Sequence, residues 1–396
     1  MLLFFIAGCG LFHEADIGLA KPSIDDTGTL VTDTDTDTDT DTDTDTDTTV
    51  EPVELALYAM TIKDNGSIGI ETFDLSSRER VNTTATALSG SSTGINSLIV
   101  TTNNSLLATG GNDSSIEGYA IDDRTGMLSM EAWSPYTTGG VKLHTLDEKE
   151  GFLYGISDDW MASYHVQNNG IEEIAARGDC NIECVYVDIA ATLDGSHFAA
   201  TISLTESGSG QDSGFNDTGM QDVYGTVATG SFELFDMRDL SRDIWSQMGN
   251  LTVSKSGELV YASTYQGVAV VKSDPGESNF LGYTNSYTYD ANIEMSSHED
   301  VSYAVQPSFE SNSWSINSFS VSRGGTNWEQ RGDVEAPEDT KYIYVSENYI
   351  ALSSRARVWV YELSPDGTPA EHFVEFTRQG QNYFGPIVIV EGAGGN

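Results

Sequence analysis

Basic residues are scarce in this 396-residue chain: 18 Lys and Arg stand against 61 Asp and Glu, for a formal net charge of −43. That excludes a nucleic-acid binder, since phosphate needs a basic surface. It also excludes docking on anionic lipid through a basic patch. No apolar run approaches the roughly 18 residues of a membrane-spanning helix. The six His never adopt an H-E-x-x-H or H-x-E spacing, and neither a G-x-S-x-G elbow nor a P-loop occurs. Cysteine is also rare, with three residues. What the chain does have is Gly 39, Tyr 18 and an apolar fraction of 38%. Such a composition supports a packed core and suits β-structure.

The first residues, Met1-Leu-Leu-Phe-Phe-Ile-Ala-Gly-Cys9, place an apolar run before Ile6-Ala-Gly-Cys9. This resembles the lipobox of bacterial lipoproteins: an aliphatic residue, two small residues, then a cysteine. The resemblance implies a signal peptide over residues 1–8 and a diacylglyceryl group on the Cys9 thiol. Residues 9–52 then form the lipidated cysteine and a Thr/Asp-rich linker. From residue 10 this linker carries thirteen acidic residues against Lys21, leaving −31 on residues 53–396. The Thr-Asp alternation from Thr32 to Thr48 has no apolar face to bury, and its like charges repel. The linker is therefore expected to be disordered, with a fully extended reach of about 140 Å. The Thr-Asp run lacks the Gly at the sixth and the Glu at the twelfth position of an EF-hand loop. Gly10 and Leu11 lack the Asp that holds some lipoproteins at the inner membrane, which favours the outer membrane. With Cys9 acylated, Cys180 and Cys184 remain as a C-x3-C pair. That is too few ligands for structural zinc. In an oxidising compartment the pair is expected to form a local disulfide, the alternative being two unrelated thiols.

The rest of the chain repeats. Short β runs begin at Leu98, His144, Ile189, Leu251, Ile293, Ile343 and Ile387, at gaps of 46, 45, 62, 42, 50 and 44 residues. The first six begin hairpins, several with turns such as Asn103-Asn104, Asp194-Gly195 and Ser256-Gly257. An alternating strand with a central aromatic follows, as in Ile70-Glu-Thr-Phe73, Ile116-Glu-Gly-Tyr119, Met161-Ala-Ser-Tyr164, Phe232-Glu-Leu-Phe235 and Val358-Trp-Val-Tyr361. A fourth strand completes each unit. Four antiparallel strands recurring at this period predict a β-propeller. The count gives seven blades over residues 53–396. The last run, near Ile387, lacks a hairpin partner. It is expected to pair with Val53–Met60 and close the ring. The long gap holds an acidic insertion near 205–229, read as a disordered loop. The alternative is a binding loop in which Asp212, Asn216 and Asp217 meet calcium, the one ion the sequence suggests; otherwise no cofactor is expected.

The stretch Asp122-Asp-Arg-Thr-Gly126-Met-Leu and the Asp194-Gly195 turn resemble lactonase-like seven-bladed β-propellers. That family includes 6-phosphogluconolactonases and many non-catalytic surface proteins, so the resemblance implies blade geometry rather than an activity.

Strand alternation assigns the channel-facing side chains as Ser97/Ile99, Leu143/Thr145, Asp188/Ala190, Asn250/Thr252, Asn292/Glu294, Tyr342/Tyr344 and Pro386/Val388. No histidine or arginine falls among them, and a hydrolase wants a general base together with groups to stabilise an oxyanion. The expected role is therefore a non-catalytic binding scaffold. Asp188, Asn250, Asn292, Glu294 and Tyr342 form its ligand site at the channel mouth, with no catalytic or metal residues. The partner would be an envelope protein, peptide or glycan, and the protein a monomer held to the cell envelope by its lipid alone. The alternatives are a lactonase-like hydrolase of a small cyclic ester and a metal- or quinone-dependent propeller enzyme.

Overall fold

In the computed structural model, residues 55–392 are described apart from segments 82–85, 92–96, 110–113, 179–183, 192–196, 205–217, 227–230, 236–247, 285–291, 296–300, 308–312 and a few isolated positions. Cys9, Cys180 and the Asp212–Asp217 loop lie outside the described residues, as does the side chain of Cys184.

The described strands form seven antiparallel sheets, five of four strands and two of five. This is an all-β propeller built on four-stranded antiparallel blades. The extra strands are Thr86–Ser91 in the first sheet and Tyr136–Thr137 in the second. Numbered from the N-terminus, the sheets have innermost strands Tyr383–Glu391, Leu98–Val100, Thr145–Lys149, Cys184–Ala191, Met248–Val253, Asn292–Met295 and Tyr342–Val345. Each innermost strand touches the next, and the last touches the first, in a closed cycle. The C-terminal strand pairs with Leu55–Ile62, from Leu55↔Glu391 to Ile62↔Tyr383. Strands from opposite ends of the chain thus share the first sheet, as the orphan run near Ile387 predicts.

The core lies between sheets. Alternation puts one face of each strand against the preceding sheet and the other against the following one, so the strands read as nearly continuous apolar runs. Leu55–Ile62 is buried over all but its last residue. The aromatics of the third strands, Phe73, Tyr119, Tyr164, Phe319 and Tyr361, are all buried.

Two expectations need correction in the fourth sheet. The region read as a disordered loop contains its third strand, Thr218–Thr226, which pairs with His197–Leu204. Phe232–Phe235 accordingly falls in the fourth strand, Ser231–Phe235, not the third. The inserted residues lengthen the path between second and third strands, and the Gly- and Ser-rich composition hid the strand within them.

The turn glycines position neighbouring sheets. Tyr58, on the second strand of sheet 1, donates its hydroxyl to Gly126 O in sheet 2 at 2.9 Å. Tyr303 in sheet 6 donates to Gly367 O in sheet 7 at 2.8 Å. In sheet 6, a Cβ at Gly325 would stand 3.1 Å from the Tyr261 hydroxyl of sheet 5. All three glycines have positive φ. The Asp122 carboxylate shapes its turn, accepting from Arg124 N, Thr125 N and Thr125 Oγ1 at 3.0, 2.7 and 2.8 Å. These bonds, led by Thr125, hold the Asp122 carboxyl below its ordinary pKa. In this chain the D-x-x-T-G motif is a turn that presents a carbonyl to the neighbouring sheet.

Candidate functional site: the central channel

The inner strands surround a cavity of about 600 Å³. Each such strand has one edge in its sheet and the other toward the channel, where free backbone groups need partners. Asp188 Oδ2 accepts from Leu251 N at 2.6 Å, across the boundary between sheets 4 and 5. Glu294 Oε1 accepts from Thr252 Oγ1 at 2.8 Å, joining sheets 6 and 5. Two carboxylates from either side therefore converge on consecutive residues of one strand. Asn250 Oδ1 accepts from Ser263 Oγ at 3.2 Å within sheet 5.

Four of the residues singled out from sequence, Asp188, Asn250, Glu294 and Tyr342, line this cavity. Asn292 begins its strand but is not among the lining residues, and its side chain is outside the described set. Ile99, Thr145, Thr252 and Tyr344 line it too, as do Leu98, Ile189, Leu251 and Ile343 of the opposite parity, so alternation does not separate channel-facing side chains. It fails at Leu143. The strand begins at Thr145, and Leu143 is buried with Leu146, Leu153 and Tyr164 between sheets. Asp147 and Glu148 line the cavity as well and were not anticipated. Asp147 shares Thr145's parity, so extending the strand by two residues would have found it. Glu148 is a joint between sheets 2 and 3. It accepts from Thr102 N at 2.7 Å and from Gly151 N at 2.6 Å.

Burial sets the electrostatics. It pushes the Asp188 carboxyl up to about 7; the bond from Leu251 N opposes this, and Asp147 adds to it. Burial likewise raises the Tyr342 phenol, and it takes Tyr344 to about 12 with help from Glu294 and Glu391. Both phenols stay neutral at physiological pH. Lys341, exposed at the rim, is the one basic residue among the lining residues, which include no His or Arg. Histidines elsewhere pack as aromatics: His165 stacks on Phe152 and His372 on Trp359, with ring centroids 5.5 and 5.0 Å apart. Among the described residues, no three His, Cys, Asp or Glu side chains gather closely enough to hold a metal ion.

No known family's sequence profile matches the chain, and no curated protein matches it. Solved structures do. One is titled a "putative 6-phosphogluconolactonase" from Bacteroides uniformis. It is 16% identical with a TM-score of 0.55, over 85% of this chain and 99% of that one. A protein of the same title from Bacteroides fragilis is 12% identical with a TM-score of 0.59, over 85% and 98%. A functionally unknown protein from Desulfotomaculum acetoxidans is 11% identical with a TM-score of 0.58, over 85% and 99%. At these identities the likeness extends to the fold alone, a β-propeller.

Proposed function

We propose that the protein is a lipid-anchored extracytoplasmic scaffold whose seven sheets act as propeller blades around a ligand-binding channel. The observation that carries this reading is the engagement of the channel carboxylates. Asp188 and Glu294 are already bonded to Leu251 and Thr252 of the neighbouring strand. They frame the channel rather than stand ready as a general base, and no histidine or arginine lines it to steady an oxyanion. The ligand is an envelope protein, peptide or glycan. Cys9 carries the lipid, and Gly10 and Leu11 favour the outer membrane. Cys9→Ala is expected to move the protein from the membrane pellet to the soluble envelope fraction; retention in the pellet at high salt overturns the anchor.

The second reading is a lactonase-like hydrolase, supported by the titles of two similar structures. A phosphorylated sugar lactone would meet Asp147, Glu148, Asp188 and Glu294, with Lys341 the one basic residue of the lining, which counts against it. Turnover of a lactone panel by the purified protein, lost in Asp188→Asn with Glu294→Gln, would replace the scaffold reading with this one.

A further inference from the structure

The two arcs of the channel wall differ in what they leave available. The acidic arc, on sheets 3 to 6, is engaged within the protein. Asp147 accepts from Glu148 N at 2.9 Å, Glu148 from Thr102 N at 2.7 Å, Asp188 from Leu251 N at 2.6 Å and Glu294 from Thr252 Oγ1 at 2.8 Å. The other arc, on sheets 7, 1 and 2, is aromatic and aliphatic, with Tyr342, Tyr344, Pro386, Val388 and Ile99. Tyr342 and Tyr344 stand two residues apart on one inner strand, both half-buried. Tyr344 also packs against the apolar clusters on both sides of sheet 1. Among the described residues, neither hydroxyl has a hydrogen-bond partner. The hydroxyls of Tyr58, Tyr303 and Tyr361, packed between sheets, donate to backbone carbonyls.

Resting on the binding reading above, we propose that the aromatic arc holds an uncharged sugar ring, with its C–H face on the Tyr342 and Tyr344 rings and its hydroxyls on their phenols. The cavity, about 600 Å³, has the size of a small-molecule site. The C–H face of a sugar carries slight positive charge and suits the negative face of an aromatic ring. Burial keeps both phenols protonated, so each can donate to a sugar oxygen and accept from a sugar hydroxyl. A wholly apolar ligand would strip water from both phenols and leave them unbonded, at a cost. An anion would meet the acidic arc and be repelled. The bonded carboxylates, for their part, do not require a cation to offset their burial.

The test uses the full chain carrying Cys9→Ala, titrated calorimetrically with glucose, galactose, mannose and N-acetylglucosamine. Glucuronate and galacturonate serve as anions, and benzyl alcohol as an apolar ring with a single hydroxyl. At least one neutral sugar is expected to saturate one site, with the uronates and benzyl alcohol weaker by about tenfold or more. Tyr342→Phe and Tyr344→Phe keep the rings and remove the hydroxyls. Each should weaken the sugar about three- to tenfold. Each should leave the melting temperature unchanged, because neither hydroxyl bonds the protein. Tyrosines with a merely structural role would show the reverse, altered melting with unaltered affinity. Saturation by none of the sugars, equal binding of the uronates, or affinity indifferent to both variants overturns the inference. A captured envelope partner keeps the two readings apart. If no sugar binds and the partner is lost when Tyr342→Phe and Tyr344→Phe are combined, the ligand class is wrong and the channel stands. If the partner also ignores that double variant, the channel is not its site.

Discussion

The boundary between sheets 7 and 1 and the boundaries flanking sheet 5 join neighbours in different ways. At the first, Leu57, Phe73, Val358, Phe376, Phe384 and Ile387 belong to one buried cluster. Phe73 lies 4.3 Å from Phe376 between ring centroids, and Arg80 covers Phe73 at 5.0 Å while pairing with Glu71 at 2.9 Å. Asn348 bonds Glu391 through N and Nδ2 at 3.0 and 2.6 Å. Between sheets 4 and 5 the described buried cluster is Ala190, Leu251, Val260, Ala262, Ala269 and Val271, with Phe280 and Tyr283 packed against it, and between sheets 5 and 6 it includes Tyr261, Phe319 and Trp328. There the channel carboxylates reach across. The difference teaches a division of labour. Closure joins the two ends of the chain and rests on bulky apolar burial. The boundaries flanking sheet 5 add side-chain carboxylates that reach across from sheets 4 and 6.

The sharpest break is at closure. Deleting residues 386–396 removes Ile387, Val388, Ile389 and Val390, all buried. At about 1.5–3 kcal/mol for each buried aliphatic side chain, the loss rivals the whole stability of an ordinary domain, about 5–15 kcal/mol. It also bares the edge of Leu55–Ile62. The truncated protein is expected to aggregate, read by size-exclusion chromatography. An unchanged melting temperature would mean closure does not depend on this strand.

The turn staples come next. At Gly325, with φ +76°, a Cβ would stand 2.8 Å from Leu259 Cδ1 and 2.9 Å from Val270 Cγ1. Gly325→Ala should cost about 1–3 kcal/mol through overpacking, measured by thermal denaturation. At Gly380, with φ +64°, a Cβ would meet nothing within 4 Å, so Gly380→Ala is the matched control and should cost only the left-handed backbone strain. Equal effects at both positions would detach the staple from packing. Smaller again is Tyr58→Phe, which strips the donor from buried Gly126 O. It is expected to cost about 1 kcal/mol, with the native fold retained by circular dichroism.

These contrasts also mark what was legible in the sequence. Strand period placed the inner strands, but alternation did not sort their side chains, because residues of both parities line the cavity. Leu143 failed because the strand starts two residues later, and Asp147 was lost with it. The third strand of sheet 4 was hidden because its flanking insertion reads as linker. Closure was legible as an unpaired final run. Its cement was not: Arg80 bonds Thr377 O at 3.2 Å across 297 residues, and no local pattern encodes such a pair. The D-x-x-T-G stretch was visible as a family-like motif, but only geometry ties Gly126 to Tyr58.

The finest test asks whether the acidic arc is built for stability or at its expense. Asp188 in the folded protein titrates near 7, above its ordinary carboxyl value, chiefly through burial. Below the unfolded pKa both states are protonated and the group contributes nothing. Between there and about 7 the folded state keeps a proton that the unfolded state has released, so stability falls as pH rises. Above about 7 the penalty is fully present. Asp188→Asn keeps an acceptor for Leu251 N and removes the charge. The variant should therefore melt higher than the parent at pH 8, and the gap should close toward pH 5. Melting curves across that range decide it. A variant less stable than the parent at pH 8 would mean the Asp188 carboxylate strengthens the joint to Leu251 by more than its burial costs. The acidic arc would then be a structural fastening like the closure seam, and not a strained surface kept for a ligand.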